Sequence, residues 1–156
     1  MAPTRLLHPK RLLHLFILLA ICWLATPAAL ATEMVSSAGN TVYMRAGPGT
    51  GYAARWTVDK GYPFKVLARK GKWLKVIDFE RDSGWVYGPL TNTTRHHIVS
   101  ASSATLRAAP NARSAVVLKA RNGDVLRTLR QRGRWIQVRH ETGLAGWVIK
   151  SRVWGW

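Results

Sequence analysis

The chain has 156 residues, of which 24 are Lys or Arg and 7 are Asp or Glu, so its formal net charge is +17 at pH 7. The only cysteine, Cys22, excludes an internal disulfide and any metal site built from several cysteines. A surface this basic attracts polyanions, and salt weakens that attraction.

The first 31 residues have the pattern of a signal peptide. A basic start is followed by the apolar run 12–24, which is shorter than the roughly 20 residues that a membrane-spanning helix needs. Small residues end the segment, so we expect cleavage after Ala31, export and a periplasmic location. A retained N-terminal anchor is the alternative. A lipoprotein linked through Cys22 is less favoured, because Ile21 stands where a small residue is wanted.

Export changes the expected partner of the basic surface. Nucleic acid is the usual partner of such a surface inside a cell, but it is not expected for an exported chain. Anionic envelope polymers, anionic lipid or lipopolysaccharide take its place. Residues 33–91 hold 9 basic and 5 acidic residues, whereas residues 92–156 hold 12 and 2. Five arginines crowd one stretch of the second half and are the predicted polyanion-binding residues: Arg127, Arg130, Arg132, Arg134 and Arg139. The alternative is a solvated face that only maintains solubility.

Behind the signal segment, the chain repeats itself at a constant offset of 62 residues. Trp73 corresponds to Trp135, and the segment Gly84-Trp85-Val86 corresponds to Gly146-Trp147-Val148. A fixed period of this size indicates a tandem array of one folding unit. We therefore predict two domains, at residues 32–92 and 93–156, each close to the lower size limit of a domain that folds alone.

Short β-favouring runs alternate with Gly and Pro in each copy. In the first copy the predicted strands are 41–46, 53–58, 62–69, 72–77 and 84–87. This spacing is typical of small barrels, so we predict an all-β fold of two tandem barrels. Alternation directs Leu74 and Val76 to the core and Trp73 to the opposite face, and Trp135 repeats that placement. Either the two indoles form a recognition surface or a loop covers each of them.

Three motifs together resemble the bacterial SH3 domain (SH3b). They are Arg45-Ala46-Gly47-Pro48-Gly49-Thr50-Gly51-Tyr52, Gly71-Lys72-Trp73 and Gly84-Trp85-Val86. The resemblance covers residues 35–91 and again 97–155. It implies a small, strongly bent barrel of five or six strands, and a non-catalytic module that targets the cell wall or binds peptides.

The resemblance also implies a ligand groove beside the first long loop. In the first copy it points to four aromatic residues: Tyr43, Tyr52, Trp73 and Tyr87. The second copy has Thr105, Ser114, Trp135 and Ile149 at these positions, so Trp135 is the one aromatic residue that it keeps. We infer that the first copy binds through aromatic contacts and the second through arginines, which suit carboxylate or phosphate.

Catalytic and metal-binding patterns are not recognisable in the chain. Asp78, Glu80 and Asp82 alternate in one loop, but the glycine and the closing Glu of a calcium loop are missing. His96-His97 falls at the join between the copies and is expected to be a solvated linker. Nucleophile-elbow and phosphate-loop motifs are missing too. We therefore predict no cofactor, no metal and no enzymatic activity.

Together these features predict an exported, non-catalytic protein that binds the cell wall. Peptidoglycan, through its glycan or its peptide, would occupy the first groove, and the charge of the second copy would assist. Other anionic envelope polymers are further candidate partners. The alternative function is a periplasmic adaptor that binds peptide segments of another protein.

Overall fold

The computed structural model describes residues 32–156, which form two separate antiparallel β-sheets of seven strands each. Each copy of the repeat builds one sheet, so the prediction of an all-β fold with two tandem units is confirmed. The predicted signal peptide at residues 1–31, with its cleavage site, lies outside the described residues. Within residues 32–156, no helix is long and apolar enough to cross a membrane.

The first sheet contains the five strands predicted for the first copy and two more. Its strands are β1 (Met34–Ser37), β2 (Val42–Arg45), β3 (Ala54–Val58), β4 (Pro63–Lys70), β5 (Trp73–Ile77), β6 (Ser83–Tyr87) and β7 (Thr91–Asn92). Their order across the sheet is β3-β2-β6-β5-β4-β1-β7. The 3-10 turn Gly88–Leu90 joins β6 to β7. The short strands β1 and β7 have no counterpart in the sequence-based prediction.

The second sheet repeats this plan. Its strands are β8 (His96–Val99), β9 (Ser103–Arg107), β10 (Val116–Arg121), β11 (Val125–Arg132), β12 (Trp135–Arg139), β13 (Ala145–Ile149) and β14 (Val153–Gly155). Their order is β10-β9-β13-β12-β11-β8-β14, which matches the first sheet strand for strand. The 3-10 turn Lys150–Arg152 joins β13 to β14.

A bulge interrupts the longest strand of each sheet at the same repeat position. The pairing of β4 with β5 shifts between Val66 and Ala68, and that of β11 with β12 shifts between Thr128 and Arg130. The extra residues are Leu67 and Leu129, which are exposed to 48% and 40%. A bulge bends its strand and increases the local twist, so these two long strands can curve around a small core.

Each sheet encloses its own apolar core. Leu74 and Val76 lie in the first core, as their alternation predicts, and Ile136 and Val138 are their counterparts in the second. Burying one such side chain contributes about 1.5–3 kcal/mol. The first core consists of Val35, Val42, Met44, Val58, Phe64, Leu74, Val76 and Val86. The second consists of Val99, Ala104, Leu106, Ala120, Leu126, Ile136, Val138, Val148 and Val153.

The prediction that His96-His97 is a solvated linker is wrong. Both residues belong to β8, and His97 is only 2% exposed. The Nδ1 atom of His97 lies 2.7 Å from the Thr128 hydroxyl, and the Nδ1 atom of His96 lies 3.2 Å from the Ser36 hydroxyl of the first domain. The indole N–H of Trp156 also donates to Ser36, over 3.4 Å. His96 is therefore part of the contact between the two domains, whereas the bond of His97 stays within the second domain.

Candidate functional site

The first domain carries a groove of about 410 Å³ with aromatic walls. Tyr43 on β2, Trp73 on β5 and Tyr87 at the end of β6 supply those walls. Trp73 and Tyr87 are direct partners in the pairing of β5 with β6, and their ring centroids lie 5.3 Å apart at a tilt of 55°. Tyr43 is 46% exposed, whereas Trp73 and Tyr87 are half-buried. The sheet thus fixes two rings and leaves one accessible from solvent.

Arg45 connects the long loop after β2 to this groove. Its Nη1 atom donates to the carbonyls of Thr50, over 3.3 Å, and Tyr52, over 2.9 Å. Its guanidinium carbon lies 5.2 Å from the centre of the Tyr43 ring, within the range of a cation–π contact. In the second domain Arg107 makes the equivalent bond, to the carbonyl of Ser114 over 2.8 Å. The repeated arginine therefore holds the loop against the sheet in both domains.

The structure brings together three of the four aromatic residues predicted for the first groove. Tyr52 does not line it; its ring covers Gly47 on the loop and is 51% exposed. A Cβ atom at Gly47 would lie 2.4 Å from that ring, so the ring can pack in this position because residue 47 is a glycine. The groove also includes four residues that were not predicted: Arg45, Gly49, Thr50 and Leu90. Arg45, Gly49 and Thr50 belong to the motif that carries the family resemblance, and Arg45 also recurs as Arg107 in the second copy.

A smaller groove of about 280 Å³ occupies the matching place in the second domain. Trp135 remains half-buried in it, while Thr105 and Ile149 stand at the positions of Tyr43 and Tyr87. The remaining lining residues are Ser103, Arg107, Ala112, Arg134 and Arg152. The aromatic walls of the first groove have therefore given way to a basic lining.

The geometry of both domains agrees with a comparison to known families. The family model of the bacterial SH3 domain matches residues 38–92 and residues 100–155. The chain belongs to the bacterial SH3 domain family. The two matches correspond to the two sheets, so the chain carries two SH3b domains in tandem.

Curated relatives of this SH3b pair carry names from cell wall hydrolysis. The putative N-acetylmuramoyl-L-alanine amidase YrvJ of Bacillus subtilis is 25% identical over 153 residues, which cover 82% of this chain and 29% of the relative. The probable cell wall amidase LytH of Staphylococcus epidermidis is 40% identical over 50 residues, which cover 31% of this chain and 17% of the relative. The chain thus spans less than a third of the length of these relatives.

The chain also matches solved structures at low sequence identity and low TM-score. An NlpC/P60 family protein from Bacillus cereus shows 13% identity and a TM-score of 0.37, and the match covers 78% of this chain and 56% of that one. NlpC1 from Trichomonas vaginalis shows 11% identity and a TM-score of 0.36, with coverage of 83% and 48%.

The prediction that the protein is not an enzyme needs correction. Its relatives in sequence are named as amidases, and these matches contradict an assignment as a purely non-catalytic protein. That prediction relied on missing sequence motifs. Missing motifs are weak evidence against catalysis, because catalytic groups come from distant positions and meet only in the folded protein.

The five predicted polyanion-binding arginines are spread along β11, β12 and the turn between them. Arg127 and Arg139 are direct partners across β11 and β12 and line a cleft between the two domains. The guanidinium of Arg130 lies 5.2 Å from the ring centre of Trp147, Arg134 lines the second groove, and Arg132 is exposed at the end of β11.

The cleft between the domains measures about 650 Å³ and gathers titratable groups from both of them. The Nε2 atom of His140 lies 3.4 Å from a carboxylate oxygen of Asp124. Burial lowers the pKa of His96, and the positive charges of Arg127 and Lys60 lower it further, although a bond to the Thr94 backbone acts in the opposite direction. Asp59 and Glu141 complete the acidic lining.

The acidic loop between β5 and β6 is held by Asp78. One carboxylate oxygen of this buried residue accepts the backbone N–H groups of Glu80, over 3.0 Å, and Asp82, over 2.9 Å. The other oxygen accepts the Tyr62 hydroxyl over 3.3 Å. Burial and the nearby Asp78 raise the pKa of Tyr62. Through these hydrogen bonds the buried Asp78 carboxylate supports the loop.

Proposed function

We propose that this SH3b pair binds peptidoglycan through the groove of its first domain. The observation that supports this is the convergence of Tyr43, Trp73 and Tyr87 in one concave site of about 410 Å³. Aromatic faces of this kind pack against the apolar faces of sugar rings and against flat peptide groups. A concave, mostly apolar site with a few polar groups is typical of ligand binding.

The names of the relatives support a cell-wall partner and a location outside the cytoplasm. YrvJ and LytH are both named as amidases, and LytH is named for the cell wall. These relatives give no support to a lipid, lipopolysaccharide or adaptor-protein partner. A periplasmic location and cleavage after Ala31 remain predictions from the sequence.

We further propose that wall binding by this chain serves peptidoglycan hydrolysis. An assay for amino groups released from purified peptidoglycan tests whether the chain itself cleaves an amide bond. The interdomain cleft is the place to look for the responsible groups, because it combines His96 and His140 with three carboxylates. Activity that disappears in His140→Gln would assign the chemistry to this cleft. Activity that persists in the variant would place it elsewhere.

Binding to insoluble peptidoglycan tests the groove directly. Because Tyr43 is exposed and lines the groove, Tyr43→Ala should weaken binding about tenfold with little loss of stability. The same loss is expected for Trp73→Ala, provided that its thermal unfolding shows a folded domain. Sedimentation of the full chain with purified peptidoglycan measures both effects.

Tyr52→Ala is the matched control for this experiment. It removes the same side chain at similar exposure, 51% against 46%, but from outside the groove. Binding should therefore stay within about twofold of the parent chain. If Tyr43→Ala binds like the parent and high salt abolishes binding by both proteins, charge and not the groove is responsible.

A further inference from the structure

We propose that the groove of the second SH3b domain binds a sugar that carries a free carboxylate, of the N-acetylmuramic acid type. The proposal needs none of the residues in the first groove. It rests on the proposed function only for the source of the sugar, which is the cell wall.

The position of this second groove follows from the repeat. Six of its eight lining residues lie 62 residues after a lining residue of the first groove, whereas Ser103 and Arg134 have no such counterpart. Ile149 replaces an aromatic ring, and Arg152 stands where the first groove has Leu90. The fold is thus the same in both places, and the substitutions convert an aromatic site into a cationic one.

Three arginines, Arg107, Arg134 and Arg152, line this small groove without any acidic residue. The ion pairs found in residues 32–156 are Arg69–Glu33 and His140–Asp124, so none of the three has a carboxylate partner there. Like charges that line one groove repel one another, and a bound anion would relieve that repulsion. Guanidinium forks match carboxylate geometry with two parallel hydrogen bonds.

The other side of the groove suits a sugar ring. Trp135 contributes a half-buried indole, and the Ser103 and Thr105 hydroxyls line the same groove and can exchange hydrogen bonds with a polyol. The volume falls just below the range of roughly 300–1,000 Å³ that is usual for small-molecule sites. One ring with one charged substituent is therefore a better match than a long stretch of polymer.

This chemistry distinguishes hydrolysed glycan from intact glycan. In intact peptidoglycan the lactyl carboxyl of the sugar is joined to the peptide as a neutral amide. Hydrolysis adds water across that bond, releases the peptide amine and leaves the carboxylate on the sugar. The second groove would therefore recognise a product of amide hydrolysis, and would hold the chain on glycan strands that have already lost their peptides.

Titration calorimetry of the full chain with N-acetylmuramic acid and N-acetylglucosamine tests the proposal, because the two sugars differ by the lactyl carboxylate. We expect the acid to bind about tenfold more tightly or better. The double variant Arg134→Gln/Arg152→Gln should reduce its affinity to that of N-acetylglucosamine. The control Arg95→Gln/Arg121→Gln removes the same charge from exposed positions outside the groove and should leave the preference intact.

Three outcomes would overturn the proposal. They are equal affinity for the two sugars, an equal loss of affinity in the control, and displacement of the sugar acid by equimolar inorganic phosphate, which would mark an unselective anion site. Any of these results can occur while Tyr43-dependent binding to peptidoglycan persists. Failure of this proposal is therefore distinguishable from failure of the first groove.

Discussion

Acidification from about pH 7 to about pH 4 should destabilise the second SH3b domain by about 3 kcal/mol through one side chain. That side chain is His97, which is 2% exposed on β8. Burial, assisted by the positive charges of Lys150 and His96, lowers its pKa from 6.5 to about 4, although the nearby backbone of Trp156 acts in the opposite direction. The unfolded chain therefore takes up a proton more readily than the folded domain does.

The sign of the effect follows from that difference in pKa. Well above pH 6.5 His97 is neutral in both states, so its contribution to stability is complete. As the pH falls toward 4, the unfolded state binds the proton first and is favoured. Chemical unfolding measured at a series of pH values gives the free energy of unfolding at each of them.

His97→Gln is the variant that isolates this term, because glutamine is polar and does not titrate. The difference in unfolding free energy between parent and variant should change by about 3 kcal/mol across the window, in favour of the variant at low pH. A constant difference across the whole window would show that His97 is not the group responsible. The carboxylates of the chain titrate in both proteins and cancel in this comparison.

The strands that could be predicted from the sequence are those with one face in the core. Along β5, Leu74 and Val76 are buried while the residues between them are not, so the period of two is visible. The strand β1 is different, because all four of its residues are buried. Three of the four residues of β8 are buried in the same way. Strands covered on both sides show no alternation, and for that reason no strand is predicted at His96-His97.

The groove residues also fall into two groups: some could be predicted from the sequence pattern, and others are placed by tertiary contacts. Tyr43, Trp73 and Tyr87 lie on strands, whose alternation determines the face to which each points. Tyr52 lies on a loop. The hydrogen bond from Arg45 to its carbonyl and the packing of its ring on Gly47 determine its position. No period in the sequence encodes those contacts.

The arginines of the second domain were predicted as one cluster because they are close in sequence. In the pairing of β11 with β12, Arg127 lies opposite Arg139 and Arg130 lies opposite Gln137. Direct partners share a face of the sheet, and residues 137 and 139 share one because they are two apart in a strand. The bulge before Arg130 therefore keeps it on the face of Arg127. These side chains are nevertheless spread along that face, from the interdomain cleft to the ring of Trp147.

Close packing around the glycine explains why the Gly-Trp-Val motif occurs in both domains. Gly84 lies where β6 crosses β2, and a Cβ atom there would be 2.4 Å from Cγ of Met44 and 3.0 Å from the backbone oxygen of Arg45. At Gly146 a Cβ atom would meet Cβ of Leu106 at 3.0 Å and the backbone oxygen of Arg107 at 3.1 Å. Any side chain at this position must push a core residue or a neighbouring strand aside.

Gly84→Ala should therefore destabilise the first domain by about 2–3 kcal/mol, which is the cost of overpacking a core. Met44 is 0% exposed, so its side chain has no solvent to move into. Gly51→Ala is the matched control, because a Cβ atom at Gly51 meets nothing within 4 Å, and its stability should stay within about 0.5 kcal/mol of the parent. Chemical unfolding followed by tryptophan fluorescence measures both. Equal stability of the two variants would mean that β2 and β6 can separate freely, and the backbone contact would then not be the reason for the repeated glycine.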